Sequence, residues 1–246
     1  MLTSSSAHQK MTPHPKTIAI LQPSYLPWLG YFDQIARSDL FVLYDDVAYD
    51  KHGWRNRNRI KGVDAPLWLT VPVLNRGRTG QKLCEVEIDN TKNWQTKHLK
   101  SLTQYYHGSR YYHEVMGRME DGLNSRTSRL VDLTIGLIRQ LMDYLSIRTP
   151  LARSSELDIP GERTERLVRL CNHFEATRYL TGDAAKSYLD ETRFTAHHIT
   201  VEWHNYTHPT YAQPGLFVPY LSIVDLLFHH GPDSLKILSN TQGPRE

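Results

Sequence analysis

The sequence predicts an α/β protein in which a mostly parallel sheet is flanked by helices. Near the start of the chain, residues 18–21 and 40–44 are apolar runs of strand length. Between them the apolar residues take up helical spacing, at Trp28, Leu29, Phe32, Ile35 and Ala36. Strand and helix patterns alternate again in the last third of the chain, which is typical of parallel sheets. The expected architecture is Rossmann-like, with a helical segment in the middle.

Length and composition describe an ordinary soluble chain of 246 residues. This length suits one domain, and we expect a single α/β domain over residues 17–246 with a helical insertion around 92–146. The net charge of +3 suits an anionic small substrate but is too weak to indicate nucleic acid. Cys84 and Cys171 lie far apart without metal-ligand spacing, so buried, reduced thiols in a cytoplasmic protein are expected.

The chain carries no recognisable membrane or secretion signal. No apolar run approaches the roughly 18 residues that cross a bilayer. Residues 1–16 are polar and lack the apolar core of a secretory signal, so they are expected to be a disordered lead-in, with Met11 as an alternative start.

The middle of the chain predicts loops and then helices. Residues 49–62 are expected to form a loop or hairpin tip, 67–73 an edge strand because of Pro72, and 85–89 a short strand. A helix capped by Asn93 is expected through 106, followed by a weaker helix over 111–123 that two glycines break, and by a clear one over 128–145.

The last third returns to strands and helices. A short strand within 147–160 precedes a helix over 162–174 and a strand over 177–180. The alternating residues 199–203 predict another strand, and Ser222 is expected to cap a helix to 229, with a further turn over 232–238.

The first candidate site follows the first strand. Gln22 and Tyr25 lie where that strand leads into a helix N-terminus, and such a position favours anions. The carboxyl ends of parallel strands are also the usual place for a ligand. The alternative is a purely structural turn that is fixed by two prolines, with Trp28 and Tyr31 packed beneath the sheet.

An acidic pair, Asp45 and Asp46, ends the second strand. Such a pair can hold a divalent ion, orient a hydroxyl, act as a general base or cap a turn. Adjacent strand residues point to opposite faces, so one of the two is expected to enter a site.

The loop over residues 51–59 is the strongest residue-level candidate. Lys51, Arg55 and Arg57 suit phosphate or carboxylate, Asn56 suits hydroxyl or carbonyl groups, and Trp54 suits a sugar or a base. His52 is an alternative proton carrier to the acidic pair. A solvated basic loop or an RNA contact is the competing interpretation, but no RNA-binding signature accompanies it.

Three residues of the last third complete the candidate set. Gly182 follows a predicted strand and permits close backbone approach, while His208 and Tyr211 lie in a polar aromatic loop after the last strand. The histidines lack zinc-ligand spacing, so no metal site is predicted, and neither a GxSxG elbow nor a Walker A loop occurs.

Residues 20–58, ILQPSYLPWLGYFDQIARSDLFVLYDDVAYDKHGWRNRN, closely resemble the WbqC-like protein family, as do 179–182, 184–189, 208–213, Phe217, 221–228 and Gly231. A departure is Ala48, where the family pattern has Gln. The resemblance implies bacterial O-antigen or other surface-polysaccharide biosynthesis, by group transfer onto a nucleotide- or carrier-linked sugar. The alternative is a non-catalytic ligand-binding or assembly protein of the same pathway. The resemblance names no cofactor, no catalytic residues and no oligomeric state.

A fainter likeness joins the first βαβ unit to the HIGH-motif nucleotidyltransferases and pantothenate synthetase. Those enzymes carry two histidines in an HxGH arrangement at the strand-to-helix turn. Here Pro27 and the residues 29–31 stand near those places without histidines. The groups that stabilise a transferring phosphate are therefore missing, which argues against ordinary adenylyl or cytidylyl transfer.

Overall fold

Five parallel strands form the central sheet of the computed structural model, which describes residues 16–239. The strand order across the sheet is β5-β2-β1-β6-β7, and a separate antiparallel hairpin pairs β3 with β4. The parallel sheet with its flanking helices confirms the predicted α/β, Rossmann-like class. Residues 1–15 of the predicted lead-in lie outside the described residues. The strands are β1 (Thr17–Leu21), β2 (Leu40–Leu43), β3 (Arg57–Ile60), β4 (Leu67–Thr70), β5 (Leu151–Arg153), β6 (Arg178–Thr181) and β7 (Thr200–Trp203).

The helices follow the predicted order along the chain. Three consecutive helices, α2 to α4, make up the predicted helical segment, and α3 continues through its two glycines instead of breaking. The bounds are α1 (Leu29–Ala36), α2 (Trp94–Tyr106), α3 (Tyr112–Leu123), α4 (Leu130–Tyr144), α5 (Arg163–His173), α6 (Glu191–Thr195), α7 (Ile223–His230) and α8 (Ser234–Ser239). Across the described residues, none of these helices combines the length and the apolar content needed to cross a membrane.

Alternation along β1 explains why helices cover both faces of the sheet. Ile18 and Ile20 pack into one core with Leu170 and Cys171 of α5 and with Phe194 of α6. The intervening residue of the strand, Ala19, joins the other core, which contains α1 to α4, α7 and α8. Successive strand residues point to opposite faces, so a run without polar residues must be covered on both sides.

The chain reverses its direction across the sheet at β1. From β1 it passes through α1 to β2 and later to β5 on one side, and it then crosses back to β6 on the other side of β1. The loops that follow β1 and β6 therefore diverge at the carboxyl edge of the sheet. Such a switch point is where open α/β sheets bind ligands.

The structure corrects three local predictions. Residues 57–60 are strand β3 and not loop, because the inward positions are filled by Asn58 and Ile60, and an amide hides the apolar signature of a strand. The predicted strand at 85–89 is a 3-10 turn followed by single bridges. Asn93 precedes α2 without a side-chain capping bond, whereas Ser222 does accept from the amide of Val224, as predicted for a cap.

The two cysteines are free, and Cys171 is buried as predicted. Cys84 is only half-buried.

Candidate active site

A cavity of about 400 Å³ opens at the carboxyl end of β1. Its walls come from three segments: the loop between β1 and α1 with the first turn of α1, the start of the β3–β4 hairpin, and the loop before α7. The lining residues are Leu21, Ser24, Pro27, Trp28, Tyr31, Trp54, Arg55, Asn58, Arg59 and Tyr220. The cavity therefore contains parts of both predicted clusters, the one after β1 and the basic loop.

Backbone contacts hold the β1–α1 loop against the hairpin. The amide of Tyr25 lies 3.3 Å from the carbonyl oxygen of Trp54 and 3.1 Å from that of Arg55. The Asn58 amide group donates to the carbonyl of Leu26 at 2.7 Å, and Leu26 has a positive φ of 42°. A leucine in this conformation is strained, and the surrounding bonds must maintain it. The loop is thus a fixed wall of the cavity.

Arg55 is a desolvated cation without an anionic partner. Its Nη1 donates to the carbonyl of Gln22 at 3.1 Å and to Ser24 Oγ at 2.8 Å. Its Nε is buried without a hydrogen-bond partner, and no carboxylate of the described residues forms a salt bridge with it. Burial lowers the pKa of Arg55, although Tyr31, Asp50 and Tyr49 partly oppose this shift. A buried guanidinium is normally paired, so this cavity is suited to an anion.

Tyr31 brings a second unsatisfied donor to the same wall. The side chain lines the cavity, is only 3% exposed, and has a hydroxyl without a partner among the described residues. Burial raises the pKa of Tyr31 and the charge of Arg55 offsets part of that effect. Its hydroxyl therefore stays protonated at neutral pH and is available as a hydrogen-bond donor. From the sequence, Tyr31 is expected only to pack beneath the sheet. Its position in the first turn of α1, the helix that follows β1, is the signal that points to the cavity.

Aromatic rings form the remaining walls. The Trp54 ring lies 5.2 Å from that of Trp68, and Arg59 lies 5.5 Å from the Trp54 ring. The Trp28 ring packs against Tyr220 at 5.8 Å. A β-carbon at position 30 would approach the Trp28 ring to 2.4 Å, so Gly30 permits the ring to fold over the first turn of α1. Rings of this kind suit the apolar faces of a sugar or a base.

The predicted acid Asp45 lies outside this cavity and is fully enclosed. Its carboxylate accepts from Arg153 Nε at 2.9 Å, from the Ser155 amide at 2.9 Å and from Ser155 Oγ at 2.8 Å. Arg153 Nη2 is also 2.9 Å away, and Asp45 is 0% exposed. Since donors of its own chain occupy it, the geometry is that of a carboxylate that holds the ends of β2 and β5 together.

Asp46 faces a different, open groove. Its carboxylate forms an ion pair with Arg166 and accepts from Ser154 Oγ at 2.5 Å. Partial burial raises the pKa of this carboxyl, but the bonds from Arg166 and Ser154 outweigh it and the net pKa lies below its ordinary value. Both residues follow the end of β2 at Leu43, and both carboxylates have an oxygen within 3.3 Å of Ser154 Oγ. Neither of them reaches the cavity beside Arg55.

The basic loop divides between the cavity and the surface. Lys51 and His52 are exposed, and Arg57 donates to the His52 carbonyl at 2.5 Å. Asn56 is buried and donates to the carbonyl of Val71 at 2.8 Å, with its Oδ1 lacking a partner among the described residues. Of the predicted loop residues, Arg55 and Trp54 line the cavity.

The predicted residues of the last third are not cavity-lining. Tyr211 is buried and donates to Asp225 at 2.9 Å. His208 bonds through Nδ1 with the Pro209 carbonyl and accepts from the Tyr220 amide at 3.1 Å. It stacks on Trp28 at 6.5 Å, behind the cavity wall. Gly182 follows β6, where an added β-carbon would meet only Gln34. Of these residues, His208 packs against the cavity-lining side chains of Trp28 and Tyr220.

A buried acid–histidine pair lies elsewhere in the fold and was not predicted from the sequence. Asp33 Oδ2 of α1 lies 2.7 Å from Nε2 of His204, which follows β7. Within residues 16–239, no cluster of three or more His, Cys, Asp or Glu side chains is placed to hold a metal ion.

Tyr25, a predicted binding residue after β1, lies in the core. It is 0% exposed, and its hydroxyl lies 2.8 Å from Nδ1 of the buried His98. Because the backbone carbonyl of Thr70 is the other partner of His98, the neutral ring satisfies both contacts. Burial lowers the pKa of His98 from 6.5 to about 4.

This burial predicts an acid-sensitive fold. The unfolded chain binds a proton at His98 near pH 6.5 and the folded chain only near pH 4, so the free energy of unfolding falls as the pH drops through that window. The loss attributable to His98 reaches about 3 kcal/mol. Urea unfolding between pH 7 and pH 4 should show a shallower decline in His98→Gln than in the parent, while the exposed His52→Gln leaves it unchanged. Identical pH slopes for His98→Gln and the parent would contradict this assignment.

Comparison with known proteins places the chain in a family. The profile of the WbqC-like protein family matches residues 22–237, a range that contains every cavity-lining residue except Leu21. The chain belongs to the WbqC-like protein family. This WbqC-like protein is also 40% identical over 227 residues to Rv1507c, an uncharacterized protein of Mycobacterium tuberculosis (strain ATCC 25618 / H37Rv). That alignment covers 90% of this chain and 98% of the relative. No solved structure gives a significant match.

Proposed function

We propose that this WbqC-like protein is a cytoplasmic group-transfer enzyme of bacterial surface-polysaccharide biosynthesis, such as that of O-antigen. It acts on an activated sugar, nucleotide- or carrier-linked, whose anionic part binds Arg55. The observation that carries the proposal is the half-buried Arg55, whose Nε is buried without a hydrogen-bond partner, in a cavity whose lining contains no carboxylate. Family membership supports the pathway, and the cavity supports the ligand.

The cavity dimensions and walls fit such a ligand. A volume of about 400 Å³ lies in the usual range of small-molecule sites. Arg55 and Tyr31 donate to a phosphate or carboxylate, and the rings of Trp28 and Trp54 cover the apolar face of a sugar. The cavity therefore favours a ligand that has an anionic group at one end and a sugar ring at the other.

The same walls define what the cavity contributes to chemistry. The described residues that line it include neither a carboxylate nor an imidazole. The cavity therefore supplies hydrogen-bond donors that stabilise negative charge, and not a general base. In this proposal Arg55 and Tyr31 stabilise charge on the ligand, and the proton-transfer role predicted for Asp45, Asp46 or His52 has no counterpart among the cavity-lining residues.

Ligand binding and turnover are separable by experiment. The purified protein is mixed with a panel of sugar nucleotides and polyprenyl-phosphate-linked sugars, each with a candidate donor of the transferred group. Thermal stabilisation together with a modified sugar in the mass spectrum is the expected result. Stabilisation without product favours the alternative, a non-catalytic binding protein of the same pathway. The absence of both with every ligand contradicts the proposed site.

The hydroxyl of Tyr31 offers a conservative test of the anion site. Tyr31→Phe removes one donor to the bound anion, so affinity for the anionic ligand should fall by about 5- to 30-fold. Because that hydroxyl has no partner in the described protein, its removal should leave the free energy of unfolding unchanged or slightly raised. Isothermal titration with the best ligand of the panel and urea unfolding give the two values.

Tyr25→Phe is the matched control for this change. It removes a hydroxyl that is bonded to His98, so it should cost about 1 kcal/mol of stability and leave affinity unchanged. If the two variants behave alike, Tyr31 has no special role in the cavity.

A further inference from the structure

The exposed side of the β3–β4 hairpin combines cations with tryptophans. Residues 51–63 contain five Lys or Arg residues and no Asp or Glu. Alternation along β3 buries Asn58 and Ile60 and leaves Arg57 and Arg59 on the outer side, with Trp68 opposite Arg59 in the strand register. Arg57 lies 4.7 Å from the Trp68 ring, which stacks on Trp54. We call this surface, with Lys61 at the end of the strand, the hairpin face.

Exposed apolar side chains concentrate at the rim of the hairpin face. Leu216 is 89% exposed, Val63 is 83% exposed and Tyr220 is 51% exposed. The rim is tied to the cations, since Arg59 donates to the Tyr220 carbonyl at 3.4 Å and Lys61 to that of Leu216. Together with the two tryptophans, five of the seven exposed large hydrophobic side chains of residues 16–239 lie on this one surface.

We infer that the hairpin face binds the surface of an anionic lipid bilayer. Cations attract anionic headgroups, tryptophan and tyrosine favour the interfacial region, and exposed aliphatic tips enter the acyl boundary. The exposed aliphatic side chains of Val63 and Leu216 favour a bilayer over a nucleic acid as the partner. A nucleic acid would use the cations and the rings, but it gives Leu216 and Val63 nothing apolar to contact, whereas a bilayer accounts for all three kinds of side chain.

The hairpin face borders the sugar cavity without being the same site. Trp54, Arg59 and Tyr220 line the cavity as well, whereas Val63 and Leu216 do not. On a bilayer, the mouth of the cavity would open towards the headgroups. The bilayer inference does not depend on the identity of the sugar ligand, so either can fail without the other.

Vesicle co-sedimentation with the full chain tests the inference. The protein should partition onto vesicles of phosphatidylcholine with phosphatidylglycerol, much less onto phosphatidylcholine alone, and less at high salt. The double variant Val63→Glu/Leu216→Glu should lower the partition coefficient by about tenfold or more, because it removes both tips and adds negative charge. Arg57→Gln should lower it less and reduce its salt dependence.

Matched controls come from exposed residues elsewhere on the protein. Tyr188 is 66% exposed outside the hairpin face, and Lys236 lies on α8. Tyr188→Glu and Lys236→Gln should leave the partition coefficient unchanged. Circular dichroism, together with sugar-ligand binding in the absence of vesicles, should be unaltered in the double variant. Binding that is equal on both vesicle types, or lost equally in Tyr188→Glu, would overturn the inference. Binding of a single-stranded oligonucleotide without binding to vesicles would overturn it in favour of nucleic acid.

Discussion

Replacing Arg55 with methionine should reduce the affinity for the anionic ligand by about 100-fold or more. Methionine keeps the apolar stem of the side chain and removes the guanidinium. The bonds lost are charge-assisted, and they act in a cavity where burial weakens the competition from water. Isothermal titration with the sugar ligand that stabilises the parent most gives the measurement.

The stability of Arg55→Met should distinguish a ligand site from a structural ion pair. The variant loses bonds to the Gln22 carbonyl and to Ser24, but it also removes an unpaired buried charge. We expect these effects to offset one another to within about 1 kcal/mol. If the substitution leaves the free energy of unfolding nearly unchanged but abolishes ligand binding, the role of Arg55 is to bind the ligand.

Arg166→Met is the control with the opposite signature. Arg166 pairs with Asp46, and both side chains are nearly buried. Its removal leaves a carboxylate without its cation and should cost about 3 kcal/mol of stability. Affinity for the sugar ligand should stay at the parental value because Arg166 does not line the cavity.

The outcome that would refute the anion site concerns Arg55→Met itself, namely a ligand affinity equal to that of the parent protein.

The sheet was predictable because its signal is apolar and local. Each of the buried strands β1 and β2 contains a run of four apolar residues, a length that favours a strand over a helix. The β3 strand was not predictable in the same way. Its inward-facing Asn58 accepts from the amide of the adjacent Arg59 and donates to the carbonyl of Leu26, and this second partner lies 32 residues away in the chain.

The site could be predicted from the sequence only where residues that are adjacent in the chain also lie together in the cavity. Arg55 and Trp54 belong to a conspicuous basic cluster and were found. Asp45 is equally conspicuous, but its partners Arg153 and Ser155 lie more than a hundred residues away, so the sequence alone could not show that its carboxylate is occupied. Tyr31 was missed for the converse reason, since an aromatic residue on a helical stripe is normally part of the core.

The occupied carboxylate of Asp45 leads to the second large expected effect, a loss of stability in Asp45→Asn. The carboxylate of Asp45 accepts from the Arg153 guanidinium and from both the amide and the hydroxyl of Ser155. An asparagine amide group would turn two hydrogens towards those donors and remove the charge that faces Arg153. Breaking a buried pair of this kind should lower the free energy of unfolding by about 3–5 kcal/mol. Urea unfolding at neutral pH measures the loss.

Asp132→Asn is the matched control, because Asp132 also contacts Arg153, at 3.4 Å, but its side chain is 50% exposed. Exposed ion pairs contribute little, so this variant should lose less than about 1 kcal/mol of stability.

The binding and turnover of Asp45→Asn also distinguish a structural role of Asp45 from a catalytic one. A structural carboxylate predicts an unstable variant whose folded fraction binds the sugar ligand with parental affinity. A stable, ligand-binding Asp45→Asn that had lost turnover would instead restore Asp45 to the catalytic role that its strand-end position first suggested. The buried ion pair at the junction of β2 and β5 makes the unstable outcome the expected one.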